Sequence, residues 1–110
     1  MTGTIIANLE KLLDGPRDNA LLRYSLGNEL LKAGDPATAA ARFREALERD
    51  PQFSAAWKLL GKALAEADDA AGALAAYETG IAVAEARGDV QAAKEMRVFV
   101  RRLEKARSAG

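Results

Sequence analysis

The chain repeats itself at a spacing of 34 residues, and this limits its architecture more than any other feature. Displaced by that spacing, Leu26-Gly27 falls on Leu60-Gly61, Leu30 on Leu64, Ala39 on Ala73, Phe43 on Tyr77 and Ala46 on Gly80. A period of this size marks a small supersecondary unit that cannot bury its apolar face alone and must stack on a copy of itself. The two units span 20–53 and 54–87.

Each unit reads as a helix–turn–helix. Breaks fall at Gly15-Pro16, Gly34-Asp35-Pro36, Asp50-Pro51, Asp68-Asp69 and Gly88-Asp89. These residue types end a helix in a left-handed conformation, cap the next one, or suit its first turn. Between the breaks the apolar residues recur at helical spacing. The stripes are Ile5, Leu9 and Leu12; Leu22, Leu26 and Leu30; Ala39, Phe43 and Leu47; Trp57, Leu60 and Leu64; Ala73, Tyr77 and Ile81; and Met96, Phe99 and Leu103. Six helices with short connections follow, and no alternating strand pattern competes with them. Glycine inside a helix costs about 1 kcal/mol relative to alanine. Gly27 and Gly61 occupy the same mid-helix slot, so a close approach of the partner helix at Ala39 and Ala73 is expected to offset that cost.

Repeat arrays need about three units for stability, so the flanks are expected to complete the core. A further displacement puts Ile5, Leu9 and Leu12 on Ala39, Phe43 and Ala46, which makes the flanking helix over 4–14 an orphan second helix of a hairpin. A last helix over 89–107 is expected to cap the exposed face, giving one domain over 4–107.

The motif Trp57-x-x-Leu60-Gly61-x-x-Leu64 followed by Ala73, Tyr77 and Gly80 resembles the tetratricopeptide repeat (TPR). So does Leu26-Gly27-x-x-Leu30 followed by Ala39, Phe43, Ala46 and Pro51, and the likeness covers 68 of 110 residues. Arg23 stands where the family places a Trp-like residue, which predicts weaker outer packing of the first repeat. Glu85 replaces the second closing proline, so that helix is expected to run on to about Arg87. The resemblance implies an all-α fold, a TPR-like α-solenoid of about six antiparallel helices in stacked hairpins with a C-terminal capping helix. It also implies a concave groove lined by the first helix of each repeat. The groove slots fall on Leu21, Tyr24, Asn28, Leu31 and Lys32, then on Ala55, Lys58, Lys62, Ala65 and Glu66. Tyr24, Asn28, Leu31, Lys58 and Lys62 are the residues expected to contact a partner. The pairs Tyr24/Asn28 and Lys58/Lys62 are each spaced so as to share a helix face. Two ammonium groups, an amide and a phenol suit a carboxylate or an acidic peptide. This is similar in part to TPR domains that clamp the C-terminal carboxylate of chaperones, although the lysines fall outside the clamp's usual slots.

Composition narrows the chemistry. The chain has no cysteine and no histidine. It therefore lacks thiolate nucleophiles, disulfides, thiolate metal sites, the usual general base near neutral pH and the commonest metal ligand. No phosphate-binding glycine loop or nucleophile–base set is present, so no enzyme activity, cofactor or metal is expected. With 16 basic and 16 acidic residues the net charge is zero, which gives no overall attraction to nucleic acid or anionic lipid. Residues 89–110 nevertheless hold six basic and three acidic residues, and Lys94, Arg97, Arg101 and Lys105 follow helical spacing. That stripe could serve a nucleic-acid or acidic partner, or it could be the solvated face of the capping helix. No apolar run is long enough to span a membrane, and the first residues lack a signal-peptide pattern. The resulting expectation is a cytoplasmic scaffold, a monomer or weak homodimer, whose partner is a protein or peptide, with nucleic acid and membrane disfavoured.

Overall fold

Capping side chains set where four of the helices begin. The Oδ1 atoms of Asn19, Asp35, Asp69 and Asp89 accept from the amides of Leu22 (2.8 Å), Thr38 (3.3 Å), Gly72 (2.9 Å) and Ala92 (3.2 Å). Each satisfies an amide that a helix start leaves without an internal partner. A computed structural model describes residues 2–109 and shows six helices there: α1 (Thr2–Glu10), α2 (Ala20–Lys32), α3 (Pro36–Arg49), α4 (Ser54–Glu66), α5 (Ala70–Arg87) and α6 (Val90–Ala109). No strand occurs among the described residues.

Both flanking helices differ in extent from the sequence reading, and the first begins at Thr2. The first helix stops at Glu10. The amides of Leu12 and Leu13 then bond the carbonyls of Leu9 and Glu10, tightening the chain into turns that close at Asp14 with φ 64°. The last helix runs on to Ala109. By contrast α5 continues past Glu85 to Arg87, as the missing proline implies. It ends at Gly88, whose φ of 77° lies in the left-handed region. Ala at that position is strained, so Gly88→Ala is expected to cost about 1 kcal/mol. That lowers the melting midpoint by roughly 4–8 °C, measurable by circular dichroism.

Consecutive helices pack in pairs, and α4 also touches α2 and α6. Thus α2, α4 and α6 lie side by side as one layer, with α3 and α5 behind them. The result is a slab of 42 × 31 × 19 Å. The core runs through it without a break, from Leu26, Leu30 and Phe43 through Leu60, Leu64 and Tyr77 to Met96.

The mid-helix glycines make room for rings. A Cβ on Gly27 would lie 2.7 Å from Phe43 Cε1, and one on Gly61 would lie 2.6 Å from Tyr77 Cδ1 and Cζ. Ala39 and Ala73 are fully buried, but it is the aromatic residue one turn further along each helix that presses on the glycine. Gly80 repeats the device one layer on, where a Cβ would meet Met96 Sδ at 2.6 Å and Trp57 Cβ at 2.7 Å. This seats α6 on the last hairpin.

Arg23 does not weaken its repeat by leaving the Trp-like slot empty. The side chain is 6% exposed and joins three segments. Its Nε donates to Asp18 Oδ1 at 2.9 Å and its Nη2 to Asp18 Oδ2, a two-point grip on one carboxylate. Nη1 reaches Glu45 Oε1 on α3 at 2.7 Å, and Nη2 also meets Asp14 at 3.3 Å. Arg42 bonds the same Glu45, and Arg49 lies 3.6 Å from Asp18. The connection between α1 and α2 is therefore pinned to α3 by charge.

Candidate functional site

The inner layer carries the candidate residues, and packing decides how each is presented. On α2, Tyr24 is half-buried. Its ring lies 4.6 Å from that of Phe53 and 5.9 Å from that of Phe43, both tilted. Two aromatic neighbours fix its rotamer, so Tyr24 is a rigid wall. Asn28, one turn on, is half-buried, and its amide makes no hydrogen bond among the described residues. Leu31 is buried at 8% exposure and belongs to the core cluster, so it backs the surface from beneath.

On α4 the two lysines differ. Lys58 Nζ lies 3.1 Å from Glu95 Oε1 on α6, with both side chains partly exposed. A pair of that kind contributes about 0–1 kcal/mol, so an incoming carboxylate can compete for the ammonium. Lys62 is exposed and has no ion-pair partner within 4.0 Å among the described residues. Sequence reasoning did not foresee that α6 joins this face. Glu95, Phe99, Arg102 and Leu103 fall at i, i+4, i+7 and i+8, a helical stripe that could have been read. Phe99 stacks on Tyr77 with centroids 5.5 Å apart and planes at 22°. The Arg102 guanidinium lies 5.7 Å from the Phe99 ring centre.

Two hollows mark this side of the molecule. One, of about 590 Å³, lies where α2, α4 and α6 begin and is walled by Leu21, Phe53, Ala55 and Arg87. Leu21 is 60% exposed there. Asp50 and Asp89 also face it, and both are occupied, Asp50 with the Gln52 amide and Asp89 as the cap of α6. The other, of about 340 Å³, lies between α4, α5 and α6. Its walls are Ala65, Tyr77, Phe99 and Leu103, and Lys62, Glu66 and Arg102 stand on its rim. Burial, with a smaller push from Glu66, raises the Tyr77 phenol to about 12. It stays a neutral donor at any ordinary pH.

The basic residues of α6 lie elsewhere. Lys94, Arg97 and Arg101 border a small hollow with Val98 on another face of α6, and Lys105 is exposed one turn beyond Arg101. Arg97 is ion-paired with Glu85 of α5. One of the four charges is therefore already matched within the fold. Among the described residues no cluster of three or more His, Cys, Asp or Glu is placed to hold a metal. No described helix is long and apolar enough to cross a membrane.

The profile of the tetratricopeptide repeat family matches residues 24–96. A curated relative, a TPR repeat-containing protein of Pseudomonas aeruginosa, is 52% identical over 104 residues, covering 94% of this chain and 99% of its own length. The solution structure of a Bordetella parapertussis protein superposes with a TM-score of 0.82 at 44% identity, over 93% of this chain and 89% of that one. A tetratricopeptide repeat domain protein from Salinibacter ruber superposes at 0.73 with 30% identity, over 84% of this chain and 92% of its own. Its stacked hairpins, its paired glycine–ring contacts and these likenesses agree that the chain belongs to the tetratricopeptide-repeat family.

Proposed function

We propose that this chain is a non-enzymatic adaptor that binds a partner protein or peptide on the face formed by α2, α4 and α6, with acidic segments preferred. The observation that carries this reading is the pair Lys58/Lys62 on α4, set in the same layer as Tyr24 and Asn28 of α2. Rigid aromatic and amide groups provide contact area, and the ammonium groups provide charge-assisted hydrogen bonds. Lys58 already accommodates a carboxylate, that of Glu95, at 3.1 Å. The repeat fold supports the reading, because stacked hairpins leave an extended surface open to a guest chain. A cytoplasmic setting suits a chain without cysteine. A chaperone-type carboxylate clamp is a narrower form of the same reading. A nucleic-acid role for Lys94, Arg97, Arg101 and Lys105 is the rival, and the Arg97–Glu85 pair counts against it.

Partners are captured with tagged wild type and identified by mass spectrometry. The variant Lys58→Glu/Lys62→Glu is expected to weaken the captured partner on the order of a hundredfold, with the helical circular dichroism signal unchanged. Lys58→Gln/Lys62→Gln serves as a companion, since it avoids placing a carboxylate beside Glu95. Undiminished binding by both variants would remove the groove from consideration. Salt-sensitive retention on nucleic acid, lost on neutralising Lys94 and Arg101, would favour the rival instead.

A further inference from the structure

We propose that the hollow between α4, α5 and α6 is an anchor pocket that receives one apolar side chain of leucine size from a partner peptide whose next residue is acidic. This rests on the groove reading above and extends it from a charged face to a defined subsite. At about 340 Å³ the hollow is at the small end of ligand sites, large enough for a single side chain and its backbone. Its floor is apolar and stiff, because Tyr77 and Phe99 stack on each other while Ala65 and Leu103 close the sides. An apolar group placed there loses contact with water at little cost in ordering the pocket.

Two further features point to what accompanies that side chain. Lys62 and Arg102 stand on the rim against the single carboxylate of Glu66, an excess of cations that complements an acidic neighbour. Arg102 is held over the Phe99 ring, which orients its guanidinium beside the opening. Tyr77 is 2% exposed and lines the hollow, and its hydroxyl makes no hydrogen bond among the described residues. The hydroxyl reaches solvent at the hollow. A carboxylate or main-chain carbonyl of the guest can take the place of water there. Apolar floor, cationic rim and solvent-facing phenol thus describe one occupant.

The probe is a hexapeptide blocked at both ends, with leucine followed by aspartate in a Gly/Ser frame. It is titrated into the ¹⁵N-labelled protein. Saturating shifts are expected at the amides of Lys62, Tyr77, Phe99 and Leu103. Replacing the probe's leucine by glycine, or its aspartate by asparagine, is expected to weaken binding roughly threefold or more in each case. Ala65→Leu fills the hollow and Leu103→Asn makes its wall polar, and either is expected to abolish the shifts. Leu103 lies half-exposed on the last helix, so the second variant keeps the test valid if the first misfolds. Equal binding of all three peptides, absence of saturating shifts, or full binding by both variants overturns the pocket. Lys58 does not line the hollow, so Lys58→Gln separates the two readings. Partner capture that responds to Lys58 but not to Ala65→Leu or Leu103→Asn leaves the groove standing and removes the anchor.

Discussion

Gly61→Leu is expected to lower the melting midpoint by at least about 12 °C, the equivalent of roughly 3 kcal/mol in a domain of this size. The Cβ alone would sit 2.6 Å from two atoms of the Tyr77 ring, and leucine adds three further carbons. The ring cannot step aside, since it is 2% exposed and stacked on Phe99. The clash must then be relieved by parting α4 from α5, which opens the second hairpin along its length. Gly61→Ala is expected to fall between, because its crowding is offset in part by the helical preference of alanine, about 1 kcal/mol. Combining Gly61→Ala with Tyr77→Leu is expected to cost less than the sum of the single changes, the sign of a direct contact. Thermal melts followed by circular dichroism decide the matter. A Gly61→Leu protein that melts with wild type would mean that the ring is not held as described.

The second large effect is expected at Arg23, and it depends on pH. Arg23→Met keeps an apolar stem but leaves Asp18 and Glu45 without their shared cation. Hydrogen bonds from Arg23 and from the Asp14 amide hold the Asp18 carboxyl well below its usual range. Burial pushes Glu45 up, yet the bonds from Arg42 and Arg23 outweigh it and leave that group lowered as well. A carboxylate whose folded value lies below its unfolded value stabilises the fold above the unfolded value, about 4, and that contribution is lost as pH falls towards the folded value. Wild type should therefore lose melting temperature steadily below about pH 4. Arg23→Met should start lower at neutral pH and fall less steeply. The gap between the two proteins is expected to narrow on acidification. A gap that stays constant from neutral pH to pH 3 would show that the arginine acts through packing and not through charge.

Much of the fold was legible because it rests on local signals said twice. Asp35-Pro36 and Gly88-Asp89 announce helix limits by their chemistry, and Leu26-Gly27 with Leu60-Gly61 announces the repeat. What escaped sequence reading depends on groups brought together across the chain. Phe43 and Tyr77 were visible as core residues. That their rings, and not Ala39 and Ala73, press on the glycines depends on how far each helix slides along its partner. Arg23 looked like a gap in the motif. Its role needs Asp18 five residues before it and Glu45 on another helix, and no spacing rule joins those three. The repeat assigns Tyr24 and Asn28 to the first helix of one unit and Lys58 and Lys62 to that of the next, and they lie on α2 and α4. Leu31 was not recognisable as buried, because the helix face turned inward there is set by α3 and α4 together. The contribution of α6 was missed for a related reason, since the bond from Lys58 to Glu95 spans 37 positions.

Tyr77 occupies two settings at once, wedged against Gly61 on one side and bordering the small hollow on the other. Any exchange of that ring would loosen the hairpin, so this wall cannot drift. Phe99 shares in that joint through its stack on the ring, whereas Arg102 and Leu103 bear none of it. The chemistry at Arg102 and Leu103 can therefore change while the joint between α4 and α5 stays intact.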